Sequence, residues 1–242
     1  MLRFLLLQTR NADDPMRHHE VASFARALEA DEDQIEILDL LSHSLETRHL
    51  KDVDMLLLGG SGHYSAAGEG HWLDRALDSL RLVYDVRMPT FASCWGFQAM
   101  ARAMGGEVVH DLEHAEIGTR QLALTEAGRN DPIFAPLGDT FFGQMGHEDV
   151  VTKLPRKALL LASSGRVENQ AYCFPDRPIY CTQFHPELNC GDLVERVVNY
   201  PEYIRKIAGM EPDRFAEMIH ETPETEALLK RFVKRFVLGE LT

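Results

Sequence analysis

Two short stretches carry the residue types that make a nucleophilic hydrolase. In the first, Thr90-Phe91-Ala92-Ser93-Cys94-Trp95-Gly96-Phe97-Gln98, an apolar run ends at Cys94. A helical pattern through Phe97, Met100, Ala101 and Met104 follows directly and stops at Gly105-Gly106. A cysteine at so sharp a strand-to-helix turn is held clear of the sheet, and Gly96 relieves crowding in that turn. The helix N-terminus favours the thiolate, which is the reactive species. Taken alone, a cysteine at a strand end is more often a small buried hydrophobe. The second stretch, Tyr180-Cys181-Thr182-Gln183-Phe184-His185-Pro186-Glu187, changes the balance. Here a strand again ends at polar residues: His185 can take the thiol proton, and Glu187 can orient the imidazole and stabilise its cation, with Pro186 fixing the bend between them.

A third stretch, Leu58-Gly59-Gly60-Ser61-Gly62, also follows an apolar run. Its glycines bring backbone N–H groups close to a developing oxyanion, with Gly60 and the Trp95 amide as the expected donors, although a lone Gly-rich turn is ordinarily just a loop.

These residues need a scaffold that delivers three strand ends to one place. Leu2 to Gln8, Ile35 to Leu40, Val53 to Leu58 and Thr90 to Ser93 read as near-continuous apolar strands. Between them, Met16 to Leu28 and Glu69 to Val83 carry apolar residues at helical spacing. Such alternation implies an α/β fold with a buried, mainly parallel sheet, whose ligands bind beyond the carboxyl ends of the strands. From Glu107 to Phe142 shorter β-like runs broken by glycines imply a meander at one edge of the sheet. Ala158 to Ser163 and Ile179 to Phe184 are two further strands, with Ala171 to Phe174 pairing with the latter across Pro175-Asp176-Arg177-Pro178. After Asn189 the chain reads as helix: Asp192 to Asn199, a stretch after Pro201, Pro212 to His220, and Thr222 to Leu238 with Leu228, Leu229, Phe232 and Phe236 on one face. Residues 1–190 are expected as the main domain and 191–242 as a helical extension packed on it.

The 242 residues, 45% hydrophobic, suffice for a substantial core without disulfides or metal staples. A formal charge of −13 opposes a phosphate backbone and argues against a nucleic-acid partner. No stretch approaches the roughly 20 apolar residues of a membrane span, and Met1 to Arg10 lacks a cleavage-site pattern. Four scattered cysteines, Cys94, Cys173, Cys181 and Cys190, suggest neither a disulfide framework nor a zinc site and point to the cytoplasm. His63 and His71, or His110 and His114, lack convergent ligands and read as surface histidines rather than metal pairs. The apolar face of the last helix permits a homodimer.

The GGSG loop, SCWGFQ and QFHPE stand in the order and spacing of the class I (triad) glutamine amidotransferases, and the chain resembles that family over roughly Met55 to Leu188. Glu116-Ile117-Gly118, Asp131-Pro132-Ile133-Phe134 and Gly146-His147-Glu148-Asp149-Val150 resemble further motifs of the family. Two positions depart from it: Gly146 stands where Ser is common, and Ser93 where Gly or an aliphatic residue precedes the nucleophile. The resemblance implies a flavodoxin-like doubly wound fold, with Cys94 as nucleophile, His185 as general base and acid, and Glu187 as its orienter. It also implies that Gln98 and the backbone of Gly146 and His147 hold the glutamyl group. The expected reaction is hydrolysis of glutamine's γ-amide to glutamate and ammonia through a γ-glutamyl thioester, without cofactor or metal. Family members work beside an ammonia-consuming synthetase, or alone on γ-glutamyl peptides. This sequence shows neither a synthetase domain nor a P-loop, which favours the free-standing hydrolase. A partner-gated or non-catalytic binding module is the contrasting reading, against which the intact Cys, His and Glu argue. A thiol hydrolase of the dienelactone type also uses an elbow cysteine but does not suit the His-Pro-Glu spacing.

Overall fold

In the computed structural model, which describes residues 1–240, a nine-stranded sheet is covered by helices on both faces. The first half follows the expected alternation: β1 (Phe4–Thr9), α1 (Met16–Leu28), β2 (Ile35–Asp39), β3 (Met55–Ser61), α2 (His71–Val86), β4 (Thr90–Ser93) and α3 (Trp95–Ala103). Then come β5 (Glu107–His110), β6 (Glu116–Leu124), the short α4 (Glu126–Asn130), β7 (Thr140–His147), β8 (Asp149–Lys153), β9 (Leu159–Ser164), β10 (Ala171–Phe174) and β11 (Ile179–Thr182). Four helices close the chain: α5 (Cys190–Asn199), α6 (Pro201–Ile207), α7 (Pro212–Ala216) and α8 (Pro223–Phe232), the last continuing as a π turn over Val233–Val237.

The sheet order is β2-β1-β3-β4-β11-β10-β9-β6-β7. β2, β1, β3, β4 and β11 run parallel, which is the flavodoxin-like order, while β10, β9, β6 and β7 continue it as an antiparallel edge. β10 and β11 pair through Phe174 and Ile179, as the intervening Pro-Asp-Arg-Pro turn implied. Two details depart from expectation. β5 leaves the main sheet to form a separate ribbon with β8, since its Val108 and Val109 pair with Val151 and Val150. α7 ends at Ala216 instead of running to His220. The cause is visible at His220, whose backbone is bonded to Thr119 Oγ1 through both its N–H and its carbonyl, drawing the chain off a helical path.

Side-chain alternation divides the core. Phe4 and Leu6 of β1 face a cluster containing Phe24 of α1 and Phe91 of β4. Leu5 and Leu7 face the opposite cluster, with Leu77 of α2 and Phe97 and Met100 of α3. The first cluster also receives Leu228, Leu229 and Phe232 of α8, each fully buried, with Phe236 packed against it. Arg26 of α1 ties this arrangement together by bonding Asp192 of α5, Glu226 of α8 and the Glu187 carbonyl.

Phe232 sits edge-on to Phe91 and Tyr180, at centroid distances of 5.6 and 5.7 Å. Phe232→Ala is therefore expected to lower unfolding free energy by roughly 3–5 kcal/mol, as for any deeply buried aromatic. Denaturant titration checks this, and a loss below about 1 kcal/mol would mean that α8 lies loosely on the surface.

Candidate active site

Three adjacent parallel strands end side by side: β3 at Gly59-Gly60-Ser61, β4 before Cys94, and β11 before His185. Cys94 therefore has the Gly-rich segment on one flank and His185 on the other. Cys94 itself takes φ 50°, ψ −106°, a conformation that L residues rarely adopt, while its N–H is fixed to the Thr182 carbonyl at 2.8 Å. Gly96 is required two residues on, because a Cβ there would lie 2.5 Å from Leu58 Cβ. The cysteine is 7% exposed, and its Sγ lies 3.5 Å from the Gly146 carbonyl oxygen.

His185 and Glu187 are both buried, and His185 Nδ1 lies 2.6 Å from Glu187 Oε1. Burial works against the imidazolium, but the charges of Glu187 and Cys94 outweigh it and push the His185 pKa up from 6.5 to about 9. Burial likewise works against the Glu187 carboxylate, yet His185 and then Arg196 hold its carboxyl below the usual value. Arg196 Nη1 stands 3.7 Å from Glu187 Oε1 and 3.4 Å from His185 Nδ1.

The remaining expected residues surround this centre in different ways. A Cβ on Gly60 would sit 3.2 Å from His185 Cε1, so glycine lets the β3 backbone approach the imidazole. Trp95, Gln98, Gly146 and His147 border an open crevice on one side of Cys94. Gln98 spends its carboxamide internally, its Nε2 donating to the Asp149 carbonyl at 3.0 Å and to Gln183 Oε1 at 3.1 Å. His147 is 1% exposed, with Nδ1–H donating to the Asp149 carbonyl at 3.0 Å and Nε2 facing Glu116 Oε2 at 3.4 Å. Both side chains thus brace the Gly146–Asp149 segment, and Gly146 presents its backbone beside the thiol. Among the four histidines read as surface residues, His63 and His110 line the rim of this crevice.

The helical tail contributes residues that sequence reasoning did not assign to the site. Arg196 comes from α5 and Tyr203 from α6, with Tyr200 at the junction of the two helices. Tyr200 Oη donates to Asp14 at 2.7 Å and receives Arg10 Nη1 at 3.0 Å, and Arg10 in turn pairs with Glu20 at 3.2 Å. A Cβ on Gly59 would fall 2.2 Å from Glu20 Oε1, and one on Gly62 2.6 Å from Tyr200 Oη, so the Gly-rich segment makes room for this network. One signal was available for Arg196: it interrupts the buried stripe of α5 next to Val197 and three residues after Leu193.

The buried pair predicts a pH response. The raised His185 pKa contributes stability that is complete below 6.5 and is lost as pH rises through about 9. In Glu187→Gln the main cause of the elevation is gone while burial remains and only Cys94 still raises the value, so the imidazole pKa is expected to fall clearly below 9. Titration of the His185 ring by NMR reads it directly; a value still near 9 in the variant would contradict this electrostatic account.

The family model described as "Glutamine amidotransferase class-I" matches residues 21–199. Gamma-glutamyl peptidase 3 of Arabidopsis thaliana is 27% identical over 199 residues, spanning 78% of this chain and 76% of that protein. A glutamine-hydrolyzing GMP synthase subunit of Methanothermobacter thermautotrophicus is 32% identical over 139 residues, 57% of this chain and 68% of its own. Against the glutamine-hydrolyzing GMP synthase of Lactobacillus delbrueckii subsp. bulgaricus, 29% identical, the chain spans 28% of the relative's length. A crystal structure of a glutamine amidotransferase from Thermotoga maritima superposes with a TM-score of 0.77 at 21% identity, covering 98% of each chain, which supports the fold. With the family model matched across most of its length, the chain belongs to the class-I glutamine amidotransferase family.

Proposed function

We propose that this protein is a Cys-His-Glu hydrolase of γ-glutamyl amides, glutamine being the smallest, acting through a γ-glutamyl thioester on Cys94. The observation that carries the reading is the placement of Cys94, on a strained elbow, beside an imidazole whose Nδ1 is held 2.6 Å from buried Glu187. An imidazolium with a pKa of about 9 keeps a proton at neutral pH for the leaving nitrogen.

In this cycle the Cys94 thiolate attacks the γ-carbonyl carbon, forming the S–C bond and placing charge on the carbonyl oxygen. The amides of Gly60 and Trp95 are the proposed donors to that oxyanion. Collapse breaks the C–N bond as His185 passes its proton to the departing nitrogen. Neutral His185 then takes a proton from water, whose hydroxyl adds to the thioester carbon, and glutamate leaves as Cys94 regains the thiolate. Glu187 keeps the imidazole in one orientation throughout. The glutamyl head lies in the crevice bordered by Gln98, Gly146 and His147. Residues 1–190 form the catalytic body in this reading, and 191–242 a helical extension that completes the site. The four unpaired thiols fit a reducing cytoplasm.

Two leaving groups suit the same centre: ammonia, as in a glutaminase serving a synthetase, and the amine of a γ-glutamyl peptide. The alignment over 76% of a γ-glutamyl peptidase supports the second, and the alignment over 68% of a glutamine-hydrolyzing GMP synthase subunit supports the first.

Wild type is expected to release glutamate from a γ-glutamyl amide and to be labelled once, at Cys94, by a glutamine-analogue electrophile. Cys94→Ala should lose at least about 10³-fold in kcat/KM while keeping its fold by circular dichroism. Equal turnover by wild type and Cys94→Ala would sink the thioester mechanism.

A further inference from the structure

Cys94 borders two clefts of opposite character, whereas His185 borders the smaller one. The larger crevice carries Glu148, Asp149 and Glu202 among its walls. The smaller cleft has Arg10 and Arg196, and no Asp or Glu, among its lining residues, in a chain of net charge −13. The rest of its wall is largely apolar: Ile117, Leu188, Leu193 and Val197, one face of a cluster that the tail helices build against β6.

The two arginines differ in commitment. Arg10 is matched by Glu20 at 3.2 Å and Asp14 at 3.3 Å. Arg196 is only partly used: its Nη1 faces Glu187 at 3.7 Å, while Nε and Nη2 find no hydrogen-bond partner among the described residues, although the side chain is only 9% exposed. Both nitrogens are closed off as the side chain lies, whereas Nη1 stands beside two other residues of the cleft wall, 3.4 Å from His185 Nδ1 and 3.6 Å from where a Cβ on Gly60 would be. A carboxylate is the ligand group whose charge and planar geometry match a guanidinium.

Acyl transfer divides its substrate at the nucleophile. The acyl half stays on the thioester, and the departing nitrogen must sit beside the imidazole that protonates it. That imidazole faces the smaller cleft, which makes it the side on which the amine leaves. Ammonia needs neither an apolar wall nor a guanidinium. We propose that the smaller cleft is a leaving-group subsite for an α-amino acid, with Arg196 holding its free carboxylate and the apolar wall receiving a short side chain. The favoured substrates are then γ-glutamyl dipeptides with a small apolar second residue. This rests on the γ-glutamyl amide reading above and narrows it. The cleft is much the smaller of the two beside Cys94, which disfavours a bulky leaving group.

The test compares γ-glutamyl-alanine with γ-glutamyl-alaninamide, which lacks the carboxylate, and with glutamine, in wild type and Arg196→Met. In wild type, kcat/KM for the dipeptide is expected to exceed that for either uncharged substrate by about tenfold or more, the size of one charge-assisted hydrogen bond. In Arg196→Met the acid-to-amide ratio should fall to about 1, and this ratio is insensitive to any general loss caused by disturbing Glu187. A wild-type ratio near 1 overturns the subsite without needing any variant to fold. A ratio preserved in Arg196→Met overturns the assignment to Arg196. Failure of all three substrates, with Cys94 unlabelled by the electrophile, instead removes the hydrolase reading and the subsite with it.

Discussion

Glu187 is a fully buried carboxylate, and the arrangement around it is governed by the need to keep that charge compensated. An unpaired ion in the interior would cost several kcal/mol, so its partners must be held in place by the fold. One partner, His185, stands two residues earlier across the bend at Pro186. The other, Arg196, comes from α5, and Arg26 of α1 meets the Glu187 carbonyl and binds Asp192 at the start of α5. The carboxylate thus stands where the sheet, α1 and the tail meet. The same requirement explains why the tail cannot be treated as decoration: removing α5 would strip one of the two cations from the interior.

How much of this was legible beforehand follows from the range of each interaction. The elbow at Cys94 and the bend at His185-Pro186-Glu187 are local, encoded by neighbours along the chain, and their residues could be read directly. That β1, β3, β4 and β11 belong to a buried, mainly parallel sheet was legible from apolar strands alternating with amphipathic helices, because burial on both faces leaves that pattern. The departure of β5 to pair with β8 was not, since a short valine pair suits either sheet and only the long-range register decides. The end of α7 was hidden for the same reason, being set by Thr119, which lies 101 residues before His220.

The network of Arg10, Asp14, Glu20 and Tyr200 was invisible for a further reason. Each residue is unremarkable in its own segment, and the Gly-rich stretch that admits them, at Gly59 and Gly62, was read only for its backbone N–H groups, with Gly60 as the expected donor. The structure gives those glycines a second role, as absences of side chain into which a carboxylate and a phenol fit. Gln98 and His147 show the converse. Gln98 was expected to hold a substrate through its side chain and His147 through its backbone; both line the crevice beside Cys94, and each spends its polar side chain on stiffening the backbone of Gly146 to Asp149.

The strand order also dictates a schedule. β11 sits in the middle of the sheet, between β4 and β10, yet is the last strand made. During synthesis β2, β1, β3 and β4 can pair as soon as they emerge, leaving β4 as a bare edge and the Cys94 thiol beside it without its imidazole. That interval closes when residues 179–187 dock, and the buried aromatic face of α8 can seal the far side only once residues 223–236 have emerged as well. A nascent chain that stops short of β11 therefore leaves the β4 edge unpaired, and Cys94 and His185 come together only when that central strand docks.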